Sequence, residues 1–437
     1  MLKTIFWKVL LLLLFLNMPV FATAQGTSHA SLHTLQVGEI ERSYHLYQPT
    51  EANGKLVIVL HPLASSGLAM EAITGLNDFA EENGFTVVYP NAAGFYWDDG
   101  RSDAGIPPDE GAVDDLGFLS ALIDELVREQ GVDPEQVYLA GFGNGGTMAY
   151  SAACQQPQQY AGVMVVSALM WSYQPQHCPD ELEAPPDLVI LYGDHDHIYW
   201  QLGRTFEGID GWYLMGASET HEWWRDAYGC QSTERSDDLL IATHSDCRDE
   251  ATIQFLRMPS AGNIWPRMGE NVLNRFEVDA SEILTAFVAG NDLAAVAIPE
   301  ESPSEDIVPR TYLLYVPTTY DPAEAMPMVF LLHGRHSNAP SQAYTSDMNR
   351  IAEREGFIAV YPEGYDPNMD DPVWQYGRGV LMVDNNADVV NDEEFLGTLI
   401  DDLGTSLNIN PGRVYVTGLS NGGFMTQRLA CTMSDRF

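Results

Sequence analysis

The chain has 437 residues, 45% of them hydrophobic, and sets 62 Asp and Glu against 21 Lys and Arg, for a formal net charge of −41. That charge repels phosphate backbones and anionic lipid, so nucleic acid and acidic membrane surfaces are excluded as partners. The length is ample for two ordinary domains, each with its own core.

Residues 1–24 read as a signal peptide: Lys3 and Lys8 at a basic start, an apolar run from Val9 to Leu16, then a small-x-small site at Ala22 to Ala24. The run is too short to span a bilayer and no second one follows, so no stable membrane anchor is expected. The mature chain is expected to begin near Gln25, outside the cytoplasm, with Lys55 as its sole lysine. Five cysteines (Cys154, Cys178, Cys230, Cys247 and Cys431) in an oxidising compartment imply disulfides with one thiol over. No C-x-x-C pair or regularly spaced histidine pair occurs, so neither a metal nor another cofactor is expected.

An internal repeat organises everything after the leader. RSYHLYQP at Arg42 to Pro49 returns as RTYLLYVP at Arg310 to Pro317, and VIVLH at Val57 to His61 as VFLLH at Val329 to His333. AEENGFTVVYP from Ala80 returns as AEREGFIAVYP from Ala352. Asp115 to Leu126 matches Asp392 to Leu403, and Val137 to Cys154 matches Val414 to Cys431. A period of about 270 residues means duplicated domains, not a solenoid. Within each unit, unbroken apolar runs such as Leu56 to Leu60 and Val137 to Ala140 predict strands buried on both faces. Phe118, Leu119, Leu122, Ile123 and Leu126 make the stripe of a helix lying on that sheet. The predicted fold class is therefore α/β, a mostly parallel sheet with helices on both faces, duplicated. Residues 25–290 form the first unit. An acidic linker with Pro299 and Pro303 covers 291–307, and residues 308–437 begin the second unit. Phe437 aligns with Tyr160, whereas the first unit continues to a final helix near Ala280 to Val288. The second unit thus reads as the N-terminal half of a domain.

The chemistry points to one place. VYVT at Val414 to Thr417 leads into GLSNGG at Gly418 to Gly423 and then an apolar helix, which is G-x-S-x-G between a strand and a helix. Ser420 is the candidate nucleophile. The backbone N–H of Asn421, at the helix start, is one candidate oxyanion donor. The other is the backbone N–H of Arg335, in the loop after Leu332, His333 and Gly334. His333 precedes the nucleophile and is read as structural, since acid and base follow the serine in this fold. No histidine occurs in residues 421–437, so the base is expected beyond Phe437.

Both units resemble the secreted polyhydroxybutyrate-depolymerase-like and feruloyl-esterase-like α/β-hydrolases. The second carries their RVYVTGLSNGG motif letter for letter at Arg413 to Gly423. The resemblance implies an α/β-hydrolase fold and a Ser-His-Asp mechanism. It also implies an acid in a His-Gly-x-x-Asp setting and a base in Gly-Gly-His-x-Trp-Pro-Gly. The first unit departs from this pattern. Gly143 stands where the serine belongs, Asn263 where the histidine belongs, and His61 with Pro62 replaces His-Gly. Asp196 retains the acid. Neither glycine nor asparagine can serve as nucleophile or base, so the first unit is expected to be inert. The four cysteines of this unit allow three connectivities. The resemblance implies Cys154–Cys178 and Cys230–Cys247, with Cys431 the counterpart of Cys154.

Remaining residues divide between site and scaffold. His195, Asp196, His197 and His221 lack metal-site spacing. Trp97, Asp98 and Asp99, like Trp374 to Arg378, are candidates for a pocket mouth or for plain packing. The acidic stretch Asp109 to Asp115 reads as a solvated loop entering a helix. The expectation is a secreted carboxylic ester hydrolase acting on an ester substrate, with a polyester, a feruloyl or acetyl polysaccharide ester, or a short-chain ester as the options. A non-catalytic binding protein built on a duplicated hydrolase fold is the alternative.

Overall fold

The computed structural model describes residues 29–102, 113–179, 181–193, 204–205, 212–236, 241–258, 265–266, 278–293, 296, 310–335, 337–365, 373–376 and 391–437. The expected signal peptide, Asp196, Asn263 and most of the expected linker lie outside these residues.

The first region runs β1 (Ser31–Val37), β2 (Ile40–Tyr47), β3 (Leu56–Leu60), α1 (Gly67–Thr74), α2 (Leu76–Asn83), β4 (Thr86–Pro90), α3 (Asp115–Gln130), β5 (Val137–Phe142), α4 (Asn144–Gln155), β6 (Gly162–Val166) and β7 (Asp187–Gly193). It continues with a short hairpin of β8 (Arg204–Thr205) and β9 (Tyr213–Leu214), then α5 (Ala217–Tyr228), β10 (Ser232–Arg235), β11 (Ile241–Ser245), β12 (Ile253–Met258) and α6 (Ala280–Ala289). Among the described residues the main sheet has the order β1-β2-β4-β3-β5-β6-β7-β12-β11-β10. Strands from β4 to β12 in this order pair parallel, and the flanking strands pair antiparallel. Every residue of β3, β4 and β6 is buried, which explains their unbroken apolar sequence. One face of the sheet carries a core with Phe118, Met148 and Trp224 from α3, α4 and α5. The other face packs Leu76, Ala80, Ile283 and Leu284 from α2 and α6. Three layers result.

The second region runs β13 (Tyr312–Tyr315), β14 (Met326–Leu332), α7 (Ala339–Ser346), α8 (Met348–Glu355), β15 (Ile358–Pro362), α9 (Asp392–Ser406), β16 (Ile409–Gly418) and α10 (Asn421–Thr432). Its sheet order, β13-β15-β14-β16, is that of β2-β4-β3-β5. Directions agree too: β13 is antiparallel to β15, while β14 is parallel to both neighbours. β5 is covered by β6, but among the described residues β16 is last in its sheet, and Tyr415, Leu419 and Phe424 beside it are 50%, 61% and 52% exposed.

A buried ion pair pins the same crossing in each region. Arg42 on β2 reaches Asp115 at 2.7 Å and lies over the Phe118 ring; Arg310 reaches Asp392 at 2.6 Å and lies over Phe395. The expectation of a solvated acidic loop is therefore corrected at its end. Asp115 is only 2% exposed because Arg42 and the backbone N–H of Asp98 both bind its carboxylate. Burial lifts its pKa above the ordinary value, against the pull of Arg42. Asp114 does behave as a helix start, accepting from the Gly117 N–H. The start of the expected linker differs as well: Leu293 is buried in the first core and Val296 packs against it. Cys154 is bonded to Cys178 and Cys230 to Cys247, while Cys431 is free and exposed. No helix among the described residues is long and apolar enough to cross a membrane.

Candidate active site

At the end of β16 the chain turns so tightly that side chains have no room. A Cβ on Gly418 would lie 2.4 Å from the Gly422 carbonyl, and one on Gly422 would lie 2.4 Å from the Leu332 oxygen. The turn is tied to β14 by the Leu419 N–H on the Leu332 carbonyl, 3.1 Å. Between those glycines Ser420 adopts φ 51° and ψ −111°, a conformation that costs a non-glycine residue about 1–3 kcal/mol. The strain is held in place by the first bond of α10, from the Phe424 N–H to the Ser420 carbonyl. Ser420 is exposed at this elbow.

The surrounding loops are fixed through backbone groups. Asn421 clasps the Trp374 peptide from both sides: its Oδ1 accepts from the Trp374 N–H at 2.7 Å, and its Nδ2 donates to the Trp374 carbonyl at 3.2 Å. The Trp374 indole N–H donates to the His333 carbonyl. The His333 ring bridges the Gly334 carbonyl through Nδ1 and accepts the Gly364 N–H at Nε2. Both ring nitrogens are thus engaged by main chain, which leaves His333 no free nitrogen to serve as a base. Gly334 lies against the serine, since a Cβ built on it would be 3.6 Å from the Ser420 Cβ. Arg335, whose backbone N–H was expected as an oxyanion donor, follows directly in this loop and is exposed.

The first region repeats the clasp around an elbow that lacks the serine. Asn144 holds the Trp97 peptide at 2.7 and 3.2 Å, and the Trp97 indole donates to the His61 carbonyl. His61 bridges the Pro62 carbonyl and the Ala92 N–H, and burial lowers its pKa to about 4. Gly143 takes φ 55° and ψ −119° and is buried. A Cβ there would sit 3.1 Å from the Pro62 Cβ.

The lining differs as well. Above Gly143, the fully buried Asp99 binds Arg101, Thr147, Tyr173 and Asn144. Burial pushes its carboxyl pKa upward, but Arg101 and these hydrogen bonds outweigh it and leave it below the ordinary value. In the second region Tyr376 and Phe424 instead pair their rings, 5.0 Å between centroids.

Of the residues singled out from sequence, the fold brings the Gly334–Arg335 loop to the Ser420–Asn421 turn. Asp196 and Asn263 lie outside the described residues. Trp97 and Trp374 are buried, so packing, not a pocket mouth, is their role. His221 contacts His244 and Phe255, and burial lowers its pKa to about 4. Among the described residues no group of three or more His, Cys, Asp or Glu is placed to hold a metal ion. Sequence reasoning chose Asn421 for its backbone N–H and missed its side chain. The available signal was the recurrence of a tryptophan 47 residues before the asparagine in both repeats.

Residues 310–437 match the family described as Esterase PHB depolymerase, and residues 44–199 match the one described as Phospholipase/Carboxylesterase. Over 173 residues the chain is 32% identical to a protein named as the esterase NocK of Nocardia uniformis subsp. tsuyamanensis, covering 38% of this chain and 47% of that one. A poly(3-hydroxybutyrate) depolymerase of Ralstonia pickettii is 31% identical over 126 residues, 26% of each chain. The chain therefore spans less than half the length of either relative. Among solved structures, the acetyl xylan esterase from Aspergillus awamori aligns with a TM-score of 0.41 at 15% identity, over 54% of this chain and 94% of that one. The fold class is α/β, of the α/β-hydrolase type, with a mostly parallel sheet between helices.

Proposed function

We propose, for a chain whose two matched stretches are both those of esterases, that it bears the nucleophile of a secreted carboxylic ester hydrolase, Ser420. The observation that carries this is the elbow itself. A serine sits at positive φ between a strand and a helix, exposed, with glycines at the positions where any Cβ would collide. Ser420 Oγ attacks the ester carbonyl and its proton passes to a histidine. The N–H groups of Asn421 and Arg335 hold the oxyanion, and collapse expels the alcohol, which takes that proton. Water then attacks the acyl-serine by the reverse proton path. The histidine and its aspartate are the partners that follow the serine in chain order in this fold. Substrates in keeping with the relatives' names are a polyester, an acetylated xylan or a feruloyl ester, and a short-chain ester is the further option.

In this reading the first region is a degenerate copy. Gly143 and Asn263 leave Asp196 with no partner to orient, which favours a holding or scaffolding role there. A signal peptide at residues 1–24, as the sequence suggests, and the two disulfides would both fit an oxidising exterior. The test is p-nitrophenyl butyrate hydrolysis by residues 25–437 and by the product of the coding region extended past Phe437. Ser420-dependent turnover is expected in the extended product only. A Ser420-dependent burst from residues 25–437 overturns the placement of the base. An extended product without turnover overturns the esterase reading in favour of ligand binding.

A further inference from the structure

The segment Leu63 to Ile73 in the first region belongs to two bodies at once. Its helix α1 has no exposed residue: Gly67 to Glu71 and Thr74 are buried and Ala72 and Ile73 are half-buried, although a helix on a sheet normally keeps one polar face. One side, with Met70, packs into the first core. The other side, Leu68 and Ala69 with Ala72, packs into the core of the second region beside Leu314, Val316, Phe330 and Leu399. The repeat supplies an internal control. At the matching positions of α7 stand Pro340, Ser341 and Tyr344, and Ser341 and Tyr344 are exposed. The apolar Leu68 and Ala69 thus have Pro340 and Ser341 as counterparts, and Tyr344, the counterpart of Ala72, meets the first region edge-on at the Phe95 ring.

What it meets is, among the described residues, an edge of the second sheet. β2 is covered by β1, but β13, its counterpart, is the first strand of its sheet among the described residues. Outward carbonyls on such an edge need partners. Ser65 Oγ donates to the Leu314 carbonyl at 2.6 Å, and Ser66 Oγ donates to the Val316 carbonyl at 2.8 Å. Ser66 Oγ also accepts from the N–H groups of Val316 and Ala69, so one hydroxyl caps both the strand edge and the helix. Asn349 Nδ2 binds the Ala64 carbonyl from the far side. Leu63 and Ala64 pack with Leu331, Ala339 and Tyr361. Leu63 is the residue that aligns with Arg335.

We propose that the first region functions as the edge cap of the second. The loop that aligns with an oxyanion loop, continued into α1, seals β13 in place of a strand, so the second region holds its fold through this contact in cis. The expected signature is local. Hydrogen–deuterium exchange on the full chain reads it, with Leu68→Asp and Ser65→Ala as the variants. For Leu68→Asp, exchange across β13 and α9 is expected to rise at least tenfold while β3 to β6 stay within twofold. Ser65→Ala removes no apolar contact, and its hydroxyl is bound to the Leu314 carbonyl; β13 exchange is expected to rise two- to fivefold. Unchanged β13 exchange in Ser65→Ala overturns the proposal. So does equal acceleration in both sheets for Leu68→Asp, which would assign α1 to the first core alone.

Discussion

Gly143 and Ser420 stand at the same turn with nearly the same backbone, φ 55° and ψ −119° against φ 51° and ψ −111°. Around them the Trp–Asn clasp, the bridging histidine and the buried Arg–Asp pair recur with bond lengths that differ by at most 0.1 Å. Beside the turn itself the divergences are serine to glycine, the loop glycine to Pro62, and an aromatic pair to the Asp99 cluster. The lesson is a sorting rule. What both regions share builds the turn, and what they do not share is where a reaction would be decided. By that rule His333, Asn421 and Trp374 belong to the scaffold, with Asn421 adding a backbone N–H that any residue would supply.

The largest effect expected of this comparison is catalytic. In an esterase-competent product carrying both regions, Ser420→Ala lowers kcat by about a thousandfold or more, whereas Gly143→Ala leaves it unchanged in the same p-nitrophenyl assay. Next come the paired ions. Arg42→Ala and Arg310→Ala each strand a buried carboxylate and should cost about 3–5 kcal/mol in urea denaturation, with like losses in the two regions. A loss at only one would break the equivalence.

The histidine at the clasp gives a pH window. His61 has a folded pKa of about 4 against 6.5 for the free side chain, so the unfolded chain binds the proton more readily. Stability is full above about pH 6.5 and falls as the pH drops toward 4; a melting series with His61→Gln should be flatter across that interval. Smallest is the strain. Ser420→Gly should raise stability by about 1 kcal/mol and Gly143→Ala should lower it by about as much or more, read by urea denaturation.

How much of this was legible in the sequence depends on range. The repeat, the buried strands and the helix stripe at Phe118 to Leu126 follow from local periodicity, and the elbow follows from glycine spacing. Asp115 was misjudged because it sits in an acidic run and its partner Arg42 is 73 residues away. Composition sees the run, not the partner. The capping of β13 by Ser65 and Ser66 spans 249 and 250 residues and uses residue types common in any loop, so no pattern announces it. The apolar surplus on α1, set against the exposed face of α7, was visible in principle, but only to a reader comparing the two repeats for their differences.

The 3.1 Å approach between a would-be Cβ at residue 143 and Pro62 also sets a barrier to any serine at the first elbow. With a glycine at 62, a serine at 143 would meet no ring there. With proline in place, it presses a methylene against a rigid ring. A mutational walk toward a serine at 143 would have to pass through the loop holding Pro62, and that same loop runs on into the segment that carries the weight of the neighbouring sheet.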